Sequence, residues 1–184
     1  MFFVLHLMVA GRLHWQDTGA SLNRKIGLAA LDFPNGTLTI TEAGTKKRAS
    51  LHIVQGQNAL SEFNRGGLNV LEASLEEFST RLTLENHTKK RTLTAPRLYD
   101  GIGNSYSVEI LHHAKLSPVK LSQKMTRDEI ARLYKSCRQQ LELWTERMRH
   151  EAGDGFPKKV TAFRPDMAVH GRYNKPCPVC ETAV

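Results

Sequence analysis

Asp100-Gly101-Ile102-Gly103-Asn104-Ser105-Tyr106-Ser107-Val108-Glu109-Ile110-Leu111 is the stretch on which the fold turns. Two glycines around one apolar residue predict a tight turn, and Asn104 is a residue type favoured as a helix N-cap. The helix that follows is predicted to carry Ile110, Leu111 and Ala114 on its apolar side and to end before Pro118. A helix start leaves backbone amides unpaired and concentrates partial positive charge. Glycines in front of it let a phosphate approach the main chain, and Asn104 adds a side-chain donor. The same pattern also suits a plain helix–turn–helix corner, so both readings stand on these residues alone.

On the C-terminal side, Thr126-x-x-Glu129 has the form of a capping box, in which hydroxyl and carboxylate satisfy free amides at a helix start. Ile130, Leu133, Cys137, Leu141, Trp144 and Met148 follow at steps of 3, 4, 4, 3 and 4, a long amphipathic helix stopped by Gly153 and Gly155. Cys137 reads as a core residue of that helix. On the N-terminal side, Ser74-x-x-Glu77 is a second capping box, with Leu75, Phe78 and Leu82 on the apolar face. Another helix is predicted between Asn86 and Leu98, disturbed near Pro96.

Before Gly66-Gly67 the pattern is that of strands. Leu28–Phe33 and Thr37–Thr41 flank Pro34-Asn35-Gly36, a hairpin turn. Ala49, Leu51 and Ile53 alternate with Ser50 and His52, as in a half-buried strand, and apolar Met1–Ala10 reads as a buried one. From Phe156 onward short β-like runs with turns return. The expected class is α+β, with strands over 1–66, helices over 67–152 and short turn-linked runs over 153–184.

The chain has 184 residues, a net charge of +8 and a hydrophobic fraction of 40%, with a pI near 9.6. That fraction suffices for a packed core, and no run reaches the about 20 apolar residues of a membrane helix. A chain this basic suits an anionic partner, nucleic acid being the commonest. With 3 cysteines and no export signal, the expectation is a cytoplasmic protein with reduced thiols and no disulfide framework.

The segment from Asp100 to Leu111, with Ala114 and Leu116-Ser-Pro118, resembles the helix-two-turn-helix signature of the formamidopyrimidine-DNA glycosylase and endonuclease VIII family. The resemblance runs along nearly the whole chain and covers the C-terminal two-thirds of the family's length, and it implies that 1–66 is a partial N-terminal β-sandwich, 67–152 a helix-two-turn-helix DNA-binding domain and 153–184 an incomplete zinc-finger hairpin. It implies that Gly103 and Asn104 hold DNA phosphates beside a lesion. His6-Leu-Met-Val-Ala-Gly-Arg-Leu13 is similar to a central strand of the family's N-terminal β-sandwich, whose histidine reaches a phosphate, so His6 is a further candidate. Lys46-Lys-Arg-Ala-Ser50 lies where the family has an arginine-rich wedge loop with a phenylalanine. Ala49 cannot act as an aromatic wedge, but Lys47 and Arg48 remain candidate phosphate contacts, joined by Lys158 nearer the C-terminus.

The run from Pro157 to Cys180 resembles the approach to the family's zinc finger. Tetrahedral zinc takes four ligands, commonly from two C-x-x-C pairs. Cys177 and Cys180 supply one pair, half a zinc site, and a second pair would have to follow residue 184. His170 is a substitute candidate.

The family's chemistry is amine catalysis by an N-terminal proline followed by a glutamate. This chain opens Met1-Phe2-Phe3, so the resemblance implies no catalytic residue here and no meaningful base excision. The leading expectation is a monomeric module of base excision repair that binds double-stranded DNA at a damaged base or abasic site, with no membrane role. The alternatives are a non-enzymatic nucleic-acid-binding protein, including one that prefers RNA, and a gene fragment without a function of its own.

Overall fold

The computed structural model describes residues 1–157 and 160–184. By its internal contacts the chain divides into two units, Met1–Asn64 with Glu151–Val160, and Arg65–His150 with Thr161–Val184.

The first unit is built of strands. β1 (Phe2–His6) pairs antiparallel with β5 (Ser50–Val54) in a two-stranded sheet, and β2 (Gly11–Gln16), β4 (Gly36–Glu42) and β3 (Gly27–Phe33) form a three-stranded one. The predicted hairpin is the β3–β4 connection, and at its tip a Cβ on Gly36 would come within 2.5 Å of the Trp15 ring. Only glycine lets that indole lie against the turn. β4 is the best-buried strand, with Thr37, Thr39, Ile40, Thr41 and Glu42 all inside. β5 is followed by a six-residue helix, α1 (Gly56–Ser61), that the strand pattern gave no reason to expect.

Two expectations for this unit are corrected. The run from His6 to Leu13 is not one strand: Met8 takes φ 53 and the Gly11 amide closes on the Leu7 carbonyl, so the chain turns between β1 and β2. Nor are Met1–Ala10 and Ala49–Ile53 buried or half-buried in the way their patterns suggest. Phe3 is 53% and Ile53 is 61% exposed. A two-stranded ribbon has few neighbours to cover its side chains, so period-two alternation here marks a strand without marking a core.

The second unit is helical. α2 (Leu75–Thr83) starts at the Ser74/Glu77 capping box, with the Ser74 amide donating to Glu77 at 2.8 Å and the Glu77 amide donating to Ser74 Oγ at 3.2 Å. Phe78 and Leu82 are fully buried, whereas Leu75 at the helix start stays in solvent. α3 (Lys89–Leu93) is short, as Pro96 implied, and α4 (Asn104–His113) follows the glycine turn. A single 3-10 turn at Ser122–Lys124 leads to α5 (Arg127–Ala152), a helix of 26 residues whose Thr126/Glu129 capping box is formed in both directions. Cys137 is fully buried on α5, and burial holds its thiol far above the ordinary range. The segment after residue 160 is turns with one isolated bridge, Pro176–Ala183, among the described residues, instead of the expected short strands.

The core joins Phe78, Leu82, Leu93, Leu98, Tyr99, Ile110, Leu111, Leu133 and Cys137. The Phe78 ring lies 4.9 Å from Tyr99 and 5.4 Å from Tyr134. The Tyr99 hydroxyl donates to the Phe78 carbonyl at 2.7 Å. Each fully buried large apolar side chain contributes roughly 1.5–3 kcal/mol, so this cluster is what fixes the turn between α3 and α4. Gly67 sets the same turn from the other side. A Cβ there would stand 2.5 Å from the Pro96 carbonyl, and Leu68 pairs with the backbone of Leu98 and Asp100.

One core position is out of character. Lys89 is fully buried, and its Nζ has no hydrogen-bond partner among the described residues. Burial pushes its pKa down, Glu129 pulls it back up in part, and Lys120 and Arg132 lower it further. A lysine whose folded pKa lies below its unfolded one destabilises the fold at neutral pH, and the penalty shrinks as pH rises through the folded value towards about 10.4. Lys89→Met is therefore expected to raise stability at pH 7 by roughly 1 kcal/mol, about 2–4 °C in Tm. The gain should narrow above pH 9. Thermal melts at pH 7 and pH 10 check this, and a Met variant less stable than the parent at pH 7 would contradict it.

Candidate nucleic-acid interface and C-terminal thiol pair

The corner before α4 is open. Gly101 takes φ 75, a conformation suited to glycine, and a Cβ on either Gly101 or Gly103 would meet nothing within 4 Å. Ile102 between them is buried and pins the turn to the core. Gly103, with an extended backbone at φ −93 and ψ 178, is the N-cap. Asn104 is thus the first helical residue and not the cap that its residue type suggested. Gly103 already brings the chain into the helix, and its carbonyl accepts the Ser107 amide at 3.0 Å. Asn104 consequently keeps an exposed side chain with no hydrogen bond among the described residues. The first turn of a helix cannot satisfy its own amides, so a set of backbone donors and one carboxamide are presented outward together.

Midway along the same helix a carboxylate performs the opposite task. Glu109 is 5% exposed and accepts the backbone amides of Ala168, Val169 and His170, each at 2.8 Å. This clamp ties the C-terminal segment to α4. Its cue in the sequence is a lone acid inside an apolar run, but the partners lie 59 to 61 residues away.

Next to it sits the thiol pair. Cys177 is buried and Cys180 exposed. The Val179 amide donates to Cys177 Sγ at 3.4 Å, the Cys177 amide bonds the Thr182 carbonyl at 2.8 Å, and Glu181 takes φ 59. The chain thereby curls around the sulfurs. Hydrogen bonds with the Thr182 side chain, the Thr182 backbone and Cys177 hold the Cys180 thiol below its ordinary range. His112, in the last turn of α4, places Nε2 3.2 Å from Cys177 Sγ. No three His, Cys, Asp or Glu side chains already surround one point among the described residues. The donor types present, two thiols and an imidazole, are those zinc prefers.

The remaining candidates lie in the strand unit, apart from one. His6 ends β1 opposite Ser50, and its Nδ1 accepts the Met8 amide at 3.3 Å. Ser50 follows Lys47 and Arg48 closely, so the ribbon brings His6 and the basic loop to one end. Lys47 and Arg48 are exposed. Lys47 Nζ donates to the Glu42 carbonyl, and the Glu42 carboxylate accepts the amides of Arg48 at 2.9 Å and Ala49 at 3.2 Å. The loop is therefore shaped by a buried acid that the sequence reading did not single out. Lys158 lies outside the described residues.

No helix among the described residues is long and apolar enough to cross a membrane. No family profile matches the chain. It is 30% identical over 118 residues to a formamidopyrimidine-DNA glycosylase-like protein of Mycobacterium tuberculosis, covering 64% of this chain and 73% of that one. It is 34% identical over 114 residues to the formamidopyrimidine-DNA glycosylase of Pelotomaculum thermopropionicum, covering 58% of this chain but only 41% of the relative. In three dimensions it resembles the MutM (Fpg) protein of Thermus thermophilus, with a TM-score of 0.75 and 27% identity over 99% of this chain and 68% of that one. A Lactococcus lactis Fpg complexed with DNA containing an abasic site shares the fold at a TM-score of 0.77 and 20% identity, over 98% of this chain and 68% of that one. The chain thus spans about two thirds of these solved structures.

Proposed function

This chain belongs to the formamidopyrimidine-DNA glycosylase family, and we propose that it binds double-stranded DNA at an abasic site or damaged base, as a component of base excision repair. The observation that carries this reading is the open corner at Gly101–Asn104, where unpaired amides, a helix N-terminus and an unengaged carboxamide converge. A phosphate oxygen is the acceptor such a donor set fits. Two relatives named as glycosylases share sequence with more than a third of their own length in this chain, and one solved relative of the same fold holds abasic-site DNA.

In this reading Gly103 and Asn104 grip the backbone beside the lesion. His6, Lys47 and Arg48 at the end of the ribbon, with Lys158, supply further phosphate contacts. Cys177 and Cys180 are the chain's contribution to a zinc-binding hairpin.

Binding dominated by phosphate contacts must weaken with salt, because each neutralised phosphate releases condensed counterions. With about two or three cationic contacts, affinity for an abasic-site duplex is expected to fall roughly tenfold to fortyfold between 50 and 200 mM salt. Fluorescence anisotropy across that range measures it. A flat affinity, or tighter binding to structured RNA than to the abasic duplex, would contradict the proposal.

A further inference from the structure

We propose that the buried amine of Lys89 is a carbon dioxide site: its Nζ adds CO₂ reversibly to give a carbamate, held beside Lys120 and Arg132. The inference does not depend on whether the glycine corner binds DNA.

Three observations support it. First, Lys89 is fully buried on α3 and its Nζ has no hydrogen-bond partner among the described residues. An ammonium so placed loses its hydration and gains no partner in return. Burial therefore favours the free amine, which carries the lone pair that an electrophile needs. Second, the acid that acts on Lys89 is already committed elsewhere. Glu129 accepts Lys120 Nζ on its two oxygens, at 2.7 and 2.8 Å, and the Thr126 amide at 2.9 Å. It ties α5 to the segment around Lys120 and leaves Lys89 without an ion pair. Third, two cations accompany the amine. The Lys89 amide donates to the Lys120 carbonyl at 3.1 Å, which lays that segment against α3. Arg132 follows Glu129 by three residues and so shares its side of α5. Lys120 and Arg132 disfavour a positive charge on Lys89, and the same two charges favour a negative one there.

Carbon dioxide suits this place better than an ion does. It is small and uncharged and has no hydrogen-bond donor to leave unsatisfied, so it can enter where a hydrated anion cannot. The Nζ lone pair attacks its carbon, one C–O π pair moves onto oxygen, and one N–H proton passes to solvent. The product is an N-carboxylate of the lysine, and nothing is oxidised or reduced. A positive or neutral group thus becomes a negative one beside two cations and an acid that Lys120 already binds. Lys120 is half-buried and Arg132 exposed, so the new carboxylate would lie just beneath the surface. Carbamate formation would offset the penalty of the buried lysine and fasten α3, the helix that leads into the Gly101–Asn104 corner.

The test uses the full chain in buffer equilibrated with isotopically labelled bicarbonate as the CO₂ source, with chloride at matched pH and ionic strength as the control. Carbon NMR should show a carbamate resonance that Lys89→Met lacks and Lys90→Met keeps. Alkylation with a trialkyloxonium salt, followed by peptide mass spectrometry, should place the trapped carbamate ester on Lys89 of the parent, a readout that needs no variant to fold. The Tm of the parent should rise with CO₂ by up to about 2–4 °C, while that of Lys89→Met stays fixed, so the gap between the two narrows. A spectrum without a Lys89-dependent resonance, or trapping confined to other amines, would overturn the assignment. So would an equal rise of Tm in the parent and in Lys89→Met.

Discussion

Glu109→Ala is expected to release the C-terminal segment and to cost about 3–5 kcal/mol of stability. The Glu109 carboxylate is 5% exposed and receives three backbone amides at 2.8 Å. Hydrogen bonds to a charged acceptor contribute about 1.5–3 kcal/mol each, and removing the acceptor leaves amides buried without a partner. The three bonds act as a unit, so the loss is smaller than their sum. Even so, the loss is a large fraction of the roughly 5–15 kcal/mol that holds a typical domain together. Trypsin under native conditions reads the effect directly. Arg172, followed by Tyr173, lies in the segment that would come free, so the variant should be cut there many times faster than the parent, while the helical core from α2 to α5 survives. Glu109→Gln, which keeps the shape but offers only one acceptor oxygen, should fall between the two. Identical digestion of parent and alanine variant would show that the segment is held by something else.

The Glu109 clamp also shows what the sequence can and cannot say. Features whose partners are three or four residues apart are readable. Both capping boxes, at Ser74/Glu77 and Thr126/Glu129, form as written, because the geometry of a helix start brings those groups together whatever surrounds them. The β3–β4 hairpin and the buried face of α5 at Ile130, Leu133, Cys137 and Trp144 follow from turn chemistry and helical period in the same way. The Asp100–Asn104 stretch set the place of the corner but not its details, since an extended Gly103 took the capping role and left Asn104 outside.

What escaped the sequence depends on distant partners. Glu109 meets amides about sixty residues on, Glu42 shapes the basic loop, and His112 meets Cys177 across 65 residues. Lys89 lies inside where the segment from Pro118 to Ser122 pairs with the backbone of His87, Lys89 and Lys90, which no local pattern announces. The errors of the opposite kind are Phe3, Leu51, Ile53 and Leu75, apolar residues that alternation or period would bury and that the structure leaves partly in solvent. Period reports the type of element, whereas burial depends on whether a second layer covers it.

The outward-facing donors at the start of α4 are the physical basis of the functional reading, and Asn104→Ala probes them with little effect on the fold. The side chain has no hydrogen bond to lose among the described residues, and the position is exposed. Helical circular dichroism and Tm should therefore be unchanged. A hydrogen bond from Asn104 to a phosphate oxygen would be charge-assisted, and its removal should cost about 1.5–3 kcal/mol, roughly tenfold to a hundredfold in affinity. Binding of parent and variant to two duplexes of the same length, one with a central abasic site and one undamaged, is the measurement. A loss of at least about tenfold is expected on the abasic duplex and a clearly smaller loss on the undamaged one. An Asn104→Ala protein that binds both duplexes as tightly as the parent, or loses equally on both, would contradict it.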